Sequence, residues 1–261
     1  ERRCPEPAWA DMLPDAMTSL RILLLQARSP GDPERAGEVR AFAGRCGVPE
    51  EAIVAHDLLE GPPTIEDLRR HDALMVGGAG DYYVTRGDLP GFEATLDFLA
   101  EAAELGHPTF ASCFGFQLLT RAMGGEVVHD SQNTEVGTYE VELTDDALED
   151  PLFGVMPERF LAQLGRKDRA EELPAGTLHL ASSERCPYQA FRLPGRPVWA
   201  TQFHPELTGD EYRKRFFQYL DGYAVHMTED ERADAERRFR DSPDTAGILP
   251  RFLEVLRGQR G

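Results

Sequence analysis

Cys113 and His204 are the residues whose types and setting could do chemistry. Cys113 closes the apolar run Thr109-Phe110-Ala111-Ser112 and is followed at once by Phe114-Gly115-Phe116-Gln117. That is a strand pattern turning sharply into a helix pattern. A thiol is a weak nucleophile until it loses its proton. The positive end of a helix beginning at Phe114 favours the thiolate, and a histidine brought into contact can hold it. His204 lies much later, in Gln202-Phe203-His204-Pro205-Glu206. Pro205 biases the residue before it toward extended backbone. Residues two apart in an extended segment share a side, so Glu206 is placed to orient the imidazole face turned away from the sulfur. Together they form the nucleophile, base and orienter of a triad.

The elements that must deliver these groups alternate. Apolar runs at 20–25, 52–55, 73–76 and 109–112 predict strands, and 34–46, 64–70 and 92–105 predict helices between them. The alternation predicts an α/β fold, a flavodoxin-like doubly wound and mostly parallel sheet. Reactive groups then gather at the carboxyl ends of the strands. Both Cys113 and the glycine pair Gly77-Gly78 fall at such ends. The glycine run 77–80 lacks the spacing of a dinucleotide fingerprint. It could instead offer backbone N–H groups, beside that of Phe114, to a developing oxyanion. Beyond residue 126 the texture changes to shorter segments at 127–128, 139–143, 178–180, 189–191 and 198–201, read as additional, partly antiparallel strands. Helical patterns follow at 210–223, 229–240 and 246–256. The expected organisation is an extension or disordered stretch over residues 1–17, a main domain over 18–226, and a C-terminal helical extension over 227–261.

Net charge and cysteine usage exclude several classes. At −18 the chain lacks the basic face that nucleic-acid binding needs, and it is not drawn to anionic lipid. The acidity suits either a high-salt cytoplasm or an ordinary soluble acidic enzyme. Cys4, Cys46, Cys113 and Cys186 form no CxxC pair, so no metal site is expected and the four are read as thiols. No run is long and apolar enough for a membrane span, and the first residues hold no apolar signal segment. A cytoplasmic location is the expectation.

With these residues in place, the chain resembles the class I, triad-type glutamine amidotransferases. Their nucleophile elbow is usually written G-x-C-x-G-x-Q, matched here by Cys113, Gly115 and Gln117. Their second motif is HPE, matched by His204, Pro205 and Glu206. Gly77-Gly78 resembles their oxyanion segment. The likeness covers roughly residues 20–220. It implies a catalytic triad of Cys113, His204 and Glu206, with the N–H groups of Gly78 and Phe114 as the oxyanion hole. It also implies that Gln117 and the segment Glu135-Val136-Gly137 bind glutamine. The implied reaction is hydrolysis of the glutamine side-chain amide through a γ-glutamyl thioester, releasing ammonia, with no cofactor. Two positions depart from the family pattern. Ala111 stands where glycine usually opens the elbow, and Arg166 occupies a slot where many relatives carry histidine.

The segment 181–192 resembles stand-alone, GMP-synthase-like members. The chain carries no P-loop and no ATP-pyrophosphatase domain. A separate synthetase that accepts the ammonia is therefore the expected partner. The same triad would equally serve a γ-glutamyl hydrolase or peptidase acting on another γ-glutamyl compound. A non-catalytic subunit that senses glutamine is the third alternative.

Overall fold

The computed structural model describes residues 20–223 and 236–258, together with Glu229 and Ala233; side chains are described to residue 218 in the first span. The expected extension over 1–17, Cys4 and most of the expected 229–240 helix lie outside the described residues.

Eleven strands form two sheets among the described residues. The large sheet has the order β2-β1-β3-β4-β11-β10-β9-β6-β7. Its first half is parallel: β1 (Ile22–Ala27) lies between β2 (Ile53–Asp57) and β3 (Ala73–Ala79), and β4 (Thr109–Ser112) lies between β3 and β11 (Val198–Thr201). The second half is antiparallel: β10 (Cys186–Leu193), β9 (Leu178–Ser183), β6 (Glu135–Leu143) and β7 (Arg159–Arg166). A separate ribbon pairs β5 (Glu126–His129) with β8 (Asp168–Glu172). The α/β class and the mostly parallel sheet with added antiparallel strands are thus as expected.

The parallel strands are buried on both faces, which is why they read as unbroken apolar runs. In β1, Ile22 and Leu24 join one core while Leu23 and Leu25 join the other. The first core packs under α1 (Glu34–Cys46) and a C-terminal helix, here α6 (Ile248–Gly258). Phe252 of α6 meets Phe110 of β4 and Trp199 of β11 edge-on, at ring distances of 5.6 and 6.0 Å. The C-terminal helix is therefore packed into the domain. The second core lies under α3 (Phe92–Glu104) and α4 (Phe114–Ala122). A short helix α2 (Ile65–Leu68), closed by a Thr64–Asp67 capping box, precedes β3. The helix after the HPE segment is α5 (Gly209–Tyr223).

Candidate active site

Adjacent strands deliver the two halves of the site. Thr201 of β11 stands in register with Ser112 of β4, and the Cys113 N–H donates to the Thr201 carbonyl at 2.8 Å. Cys113 has φ 52° and ψ −103°, and it is the one non-glycine residue with positive φ among the described residues. Such a conformation costs about 1–3 kcal/mol in a side-chain-bearing residue and persists only where the surroundings impose it. Here β4 ends and α4 begins with no linking residue but Cys113. The turn is tight enough that a Cβ on Gly115 would stand 2.5 Å from the Val76 carbonyl oxygen. Glycine at 115 is thus a steric requirement of the elbow.

The imidazole of His204 is buried and donates from Nδ1 to Glu206 Oε1 at 2.6 Å. Burial pulls the imidazole pKa down. The Cys113 sulfur and the Glu206 carboxylate outweigh it by charge and hydrogen bonding, and the group is pushed up to about 10. The ring therefore favours the imidazolium at neutral pH. The other two described cysteines contrast with this setting. Burial drives the Cys46 thiol far up and the Cys186 thiol to about 11, as for inert core residues.

The end of β7 and the start of α5 hold the imidazole from the side. The His204 N–H donates to the Gln163 carbonyl at 2.9 Å, and the Tyr212 hydroxyl donates to the Leu164 carbonyl at 2.7 Å. The Gly165 carbonyl oxygen lies 3.9 Å from the Cys113 sulfur. The last residues of β7 thus touch Cys113, His204 and Tyr212 in turn. A Cβ on Gly165 would fall within 2.0 Å of the Tyr212 hydroxyl.

Gly78 closes on the Cε1 edge of His204: a Cβ there would stand 3.1 Å away. Its N–H donates to Glu38 Oε1 at 3.1 Å. Glu38 is fully buried and bound by both Nε and Nη2 of Arg28, at 3.1 and 3.0 Å, and by Gln26 Nε2 at 2.9 Å. Burial alone would raise its pKa; the Arg28 charge and hydrogen bonds lead the effects that bring it below the usual carboxylate value. A Cβ on Gly77 would overlap this carboxylate at 2.4 Å. Residue 77 is glycine because a buried acid lies against the strand end.

A cavity of about 450 Å³ opens beside Cys113, with Phe114, Gln117, Val136 and His204 on its walls. Gln117 donates to the Asp168 carbonyl at 2.8 Å and to Gln202 Oε1 at 3.2 Å. Glu135 is buried and faces away from solvent, holding Arg166 by Nε at 3.0 Å and Nη2 at 2.7 Å, with Ser183 and Gln189 as further donors. Arg166 itself lines the cavity. Gly137, at φ 122°, packs against Arg238. Cys113, Phe114, Gln117, Val136 and His204 therefore converge on the cavity. Gly78 and Glu206 touch the imidazole, and Glu135 touches a residue of the cavity wall. The Ala111 methyl joins the second core.

Sequence reasoning missed Arg28, Glu38, Asp168, Tyr212 and Arg215. Glu38 left a signal: it sits three and four residues before Ala41 and Phe42, on the apolar face of α1. Asp168 left none, since its buried carboxylate meets Thr85 and His129 only through the fold.

A model of the class-I glutamine amidotransferase family matches residues 59–220, the span from β3's approach to α5 that holds both motifs. The chain belongs to the class-I glutamine amidotransferases. Among curated relatives, it is 34% identical to a GMP synthase [glutamine-hydrolyzing] from Lactobacillus delbrueckii over 120 residues, 46% of this chain and 23% of that one. It is 35% identical to the enzyme of the same name from Thermosipho africanus over 130 residues, 48% of this chain and 24% of that one. The matched part thus spans about a quarter of these relatives. A glutamine amidotransferase from Thermotoga maritima shares the fold with a TM-score of 0.67 at 19% identity, over 91% of this chain and 97% of that one. No helix among the described residues of this amidotransferase is long and apolar enough to cross a membrane.

Proposed function

We propose that the protein hydrolyses the side-chain amide of glutamine through a γ-glutamyl thioester on Cys113, releasing ammonia. The sulfur attacks the amide carbon, and the oxyanion accepts from the N–H groups of Phe114 and Gly78. The Gly78 N–H is engaged by Glu38, so that role needs a rotation of the strand end. His204 gives its proton to the departing nitrogen, the C–N bond breaks, and the imidazole then activates the water that releases glutamate. Glu206 holds the ring and offsets its charge. Gln117 and Val136 contact glutamine at the cavity wall, and the segment through Glu135 and Gly137 shapes that wall, Glu135 acting through Arg166. No cofactor enters this chemistry.

The observation that carries the proposal is one strained cysteine at the end of β4, lining the same cavity as a buried imidazole that is itself held by a carboxylate. The names of the GMP synthases support glutamine as the substrate. The same names support a synthetase as the acceptor of the ammonia. A glutamine-mimicking electrophile should label Cys113 in the native chain and leave Cys113→Ala unlabelled. Failure to label, alone and with candidate synthetases, would favour a glutamine-sensing subunit without catalysis. A second reading, hydrolysis of larger γ-glutamyl compounds, is favoured by the volume and the cation-rich wall of the cavity.

A further inference from the structure

Gln117, Gln202 and Gln189 are buried and stand head to tail behind the cavity. Gln117 donates from Nε2 to the Asp168 carbonyl at 2.8 Å and to Gln202 Oε1 at 3.2 Å. Gln189 donates from Nε2 to Glu135 Oε2 and to Ser183 Oγ, each at 2.9 Å. A backbone carbonyl and a carboxylate only accept. Each end amide is therefore fixed in sense by its anchor, nitrogen toward Asp168 or Glu135 and oxygen turned away. Gln202 sits between them. Its oxygen takes the Gln117 N–H, which leaves its own Nε2 to donate onward. The Gln202 N–H donates to the Gln189 carbonyl at 2.8 Å, next to the paired Ala190 and Thr201 of β10 and β11. Residues opposite each other on antiparallel strands share a face. Gln202 Nε2 and Gln189 Oε1 are closed off from solvent and have no partner among the described residues. One is a donor and the other an acceptor, and each is costly to bury alone.

From Glu135 outward the sense is the same at every step, nitrogen toward the carboxylate and oxygen toward the cavity. The last oxygen is Gln117 Oε1. Both N–H groups of that amide are spent, and Gln117 lines the cavity. Its Oε1 accepts from no described residue and, unlike the two inner groups, is open to solvent. The cavity therefore meets an acceptor at this point and not a donor. Amides aligned in one direction polarise one another, and the far end of this chain is anionic. A cationic donor on a ligand matches that oxygen, and a carboxylate does not.

We propose that Gln202 and Gln189 are positioning residues. With Gln202 donating to Gln189, they hold Gln117 as an acceptor for the α-ammonium of the substrate. The proposal rests on the reading of glutamine as substrate and adds the residues that make the site demand a free amino group.

Calorimetric titration of the Cys113→Ala chain tests this without turnover. The ligands are glutamine and glutaramate, the same amide and carboxylate without the amino group. Glutamine should bind about tenfold or more tightly, as a hydrogen bond to a charged donor allows. Gln202→Met, which keeps the volume and removes the amide, should bring that ratio to about threefold or less. Gln189→Met should lower it as well, although Gln189 is not on the cavity wall. At either position leucine replaces methionine should the variant not fold. The double variant should lose no more than Gln202→Met alone, because groups acting in one chain are not additive. A merely structural role would weaken both ligands alike and leave the ratio where it was. Equal binding of the two ligands by Cys113→Ala, a ratio that survives either single variant, or losses that add would overturn the proposal while leaving glutamine hydrolysis standing. Binding of neither ligand would overturn both.

Discussion

The ring of Tyr212 lies face to face with the imidazole of His204, 5.9 Å between centroids and 30° between planes. Tyr212 is itself fixed, since its hydroxyl donates to the Leu164 carbonyl. An aromatic face against an imidazolium is attractive by roughly 0.5–2 kcal/mol. Tyr212 therefore both sets the ring plane and favours its protonated form. Replacing it by leucine should lower the His204 pKa, visible by NMR, and reduce kcat about tenfold with KM little changed. Tyr212→Phe, which keeps the face, should lose less. A leucine variant with an unshifted imidazole would remove Tyr212 from the mechanism.

The three side chains proposed as a triad should not be equal in effect. Cys113→Ser should lower the rate by orders of magnitude, because a hydroxyl does not readily give an anion. His204→Ala removes the proton carrier, whereas Glu206→Gln leaves the carrier and weakens only its hold, so the histidine variant should be slower. Steady-state rates on glutamine measure the order, and a reversed order would count against the assigned roles.

Alkaline pH should weaken the native state through His204. Its folded pKa of about 10 lies above the ordinary value of 6.5. The group's contribution is complete below the unfolded value, declines above it, and disappears as pH rises through about 10. Urea midpoints for the native chain and His204→Gln should therefore differ most near pH 6 and converge past pH 10. A gap that stays constant across this range would mean that the imidazole is not charged in the folded site.

Glu38 is the carboxylate whose loss should unsettle the fold. Its folded pKa is depressed, so its contribution is present above the unfolded value and fades as pH falls through the folded one. Glu38→Leu leaves Arg28 buried beside one less acid and should cost about 3–5 kcal/mol, read from denaturant unfolding. It also releases the Gly78 N–H. A variant of native stability would show that Asp32, whose carboxylate stands 3.5 Å from Arg28 Nη1, can hold Arg28 on its own.

How far the sequence told this in advance can be judged from particular elements. The strands β1, β3 and β4 were legible because burial on both faces makes them continuously apolar. The elbow was legible because an apolar strand pattern runs straight into Cys113, and Gly115 then marks a turn too tight for a side chain. β7 and β8 went unread. Their buried Gln163, Arg166 and Asp168 are polar, and each is satisfied by a partner distant in sequence: Arg240 and Ser242, Glu135, and Thr85 with His129. Alternation of apolar and polar residues fails as a signal when the inward side chain is a paired ion. For the same reason Arg166 could be noticed as a departure from the family but not as the partner of Glu135.

The neighbouring placement of β4 and β11 in the large sheet frees the intervening chain. Cys113 and His204 follow two strands joined by a single backbone ladder, so the elements between those strands, other than the elbow into α4 and the end of β7, can lengthen, shorten or reshape without altering the spacing of the two side chains. What the cavity admits can thereby change without moving Cys113 or His204, and comparative mutagenesis should find tolerance in the rest of that excursion and intolerance along the ladder, at the elbow and at the end of β7.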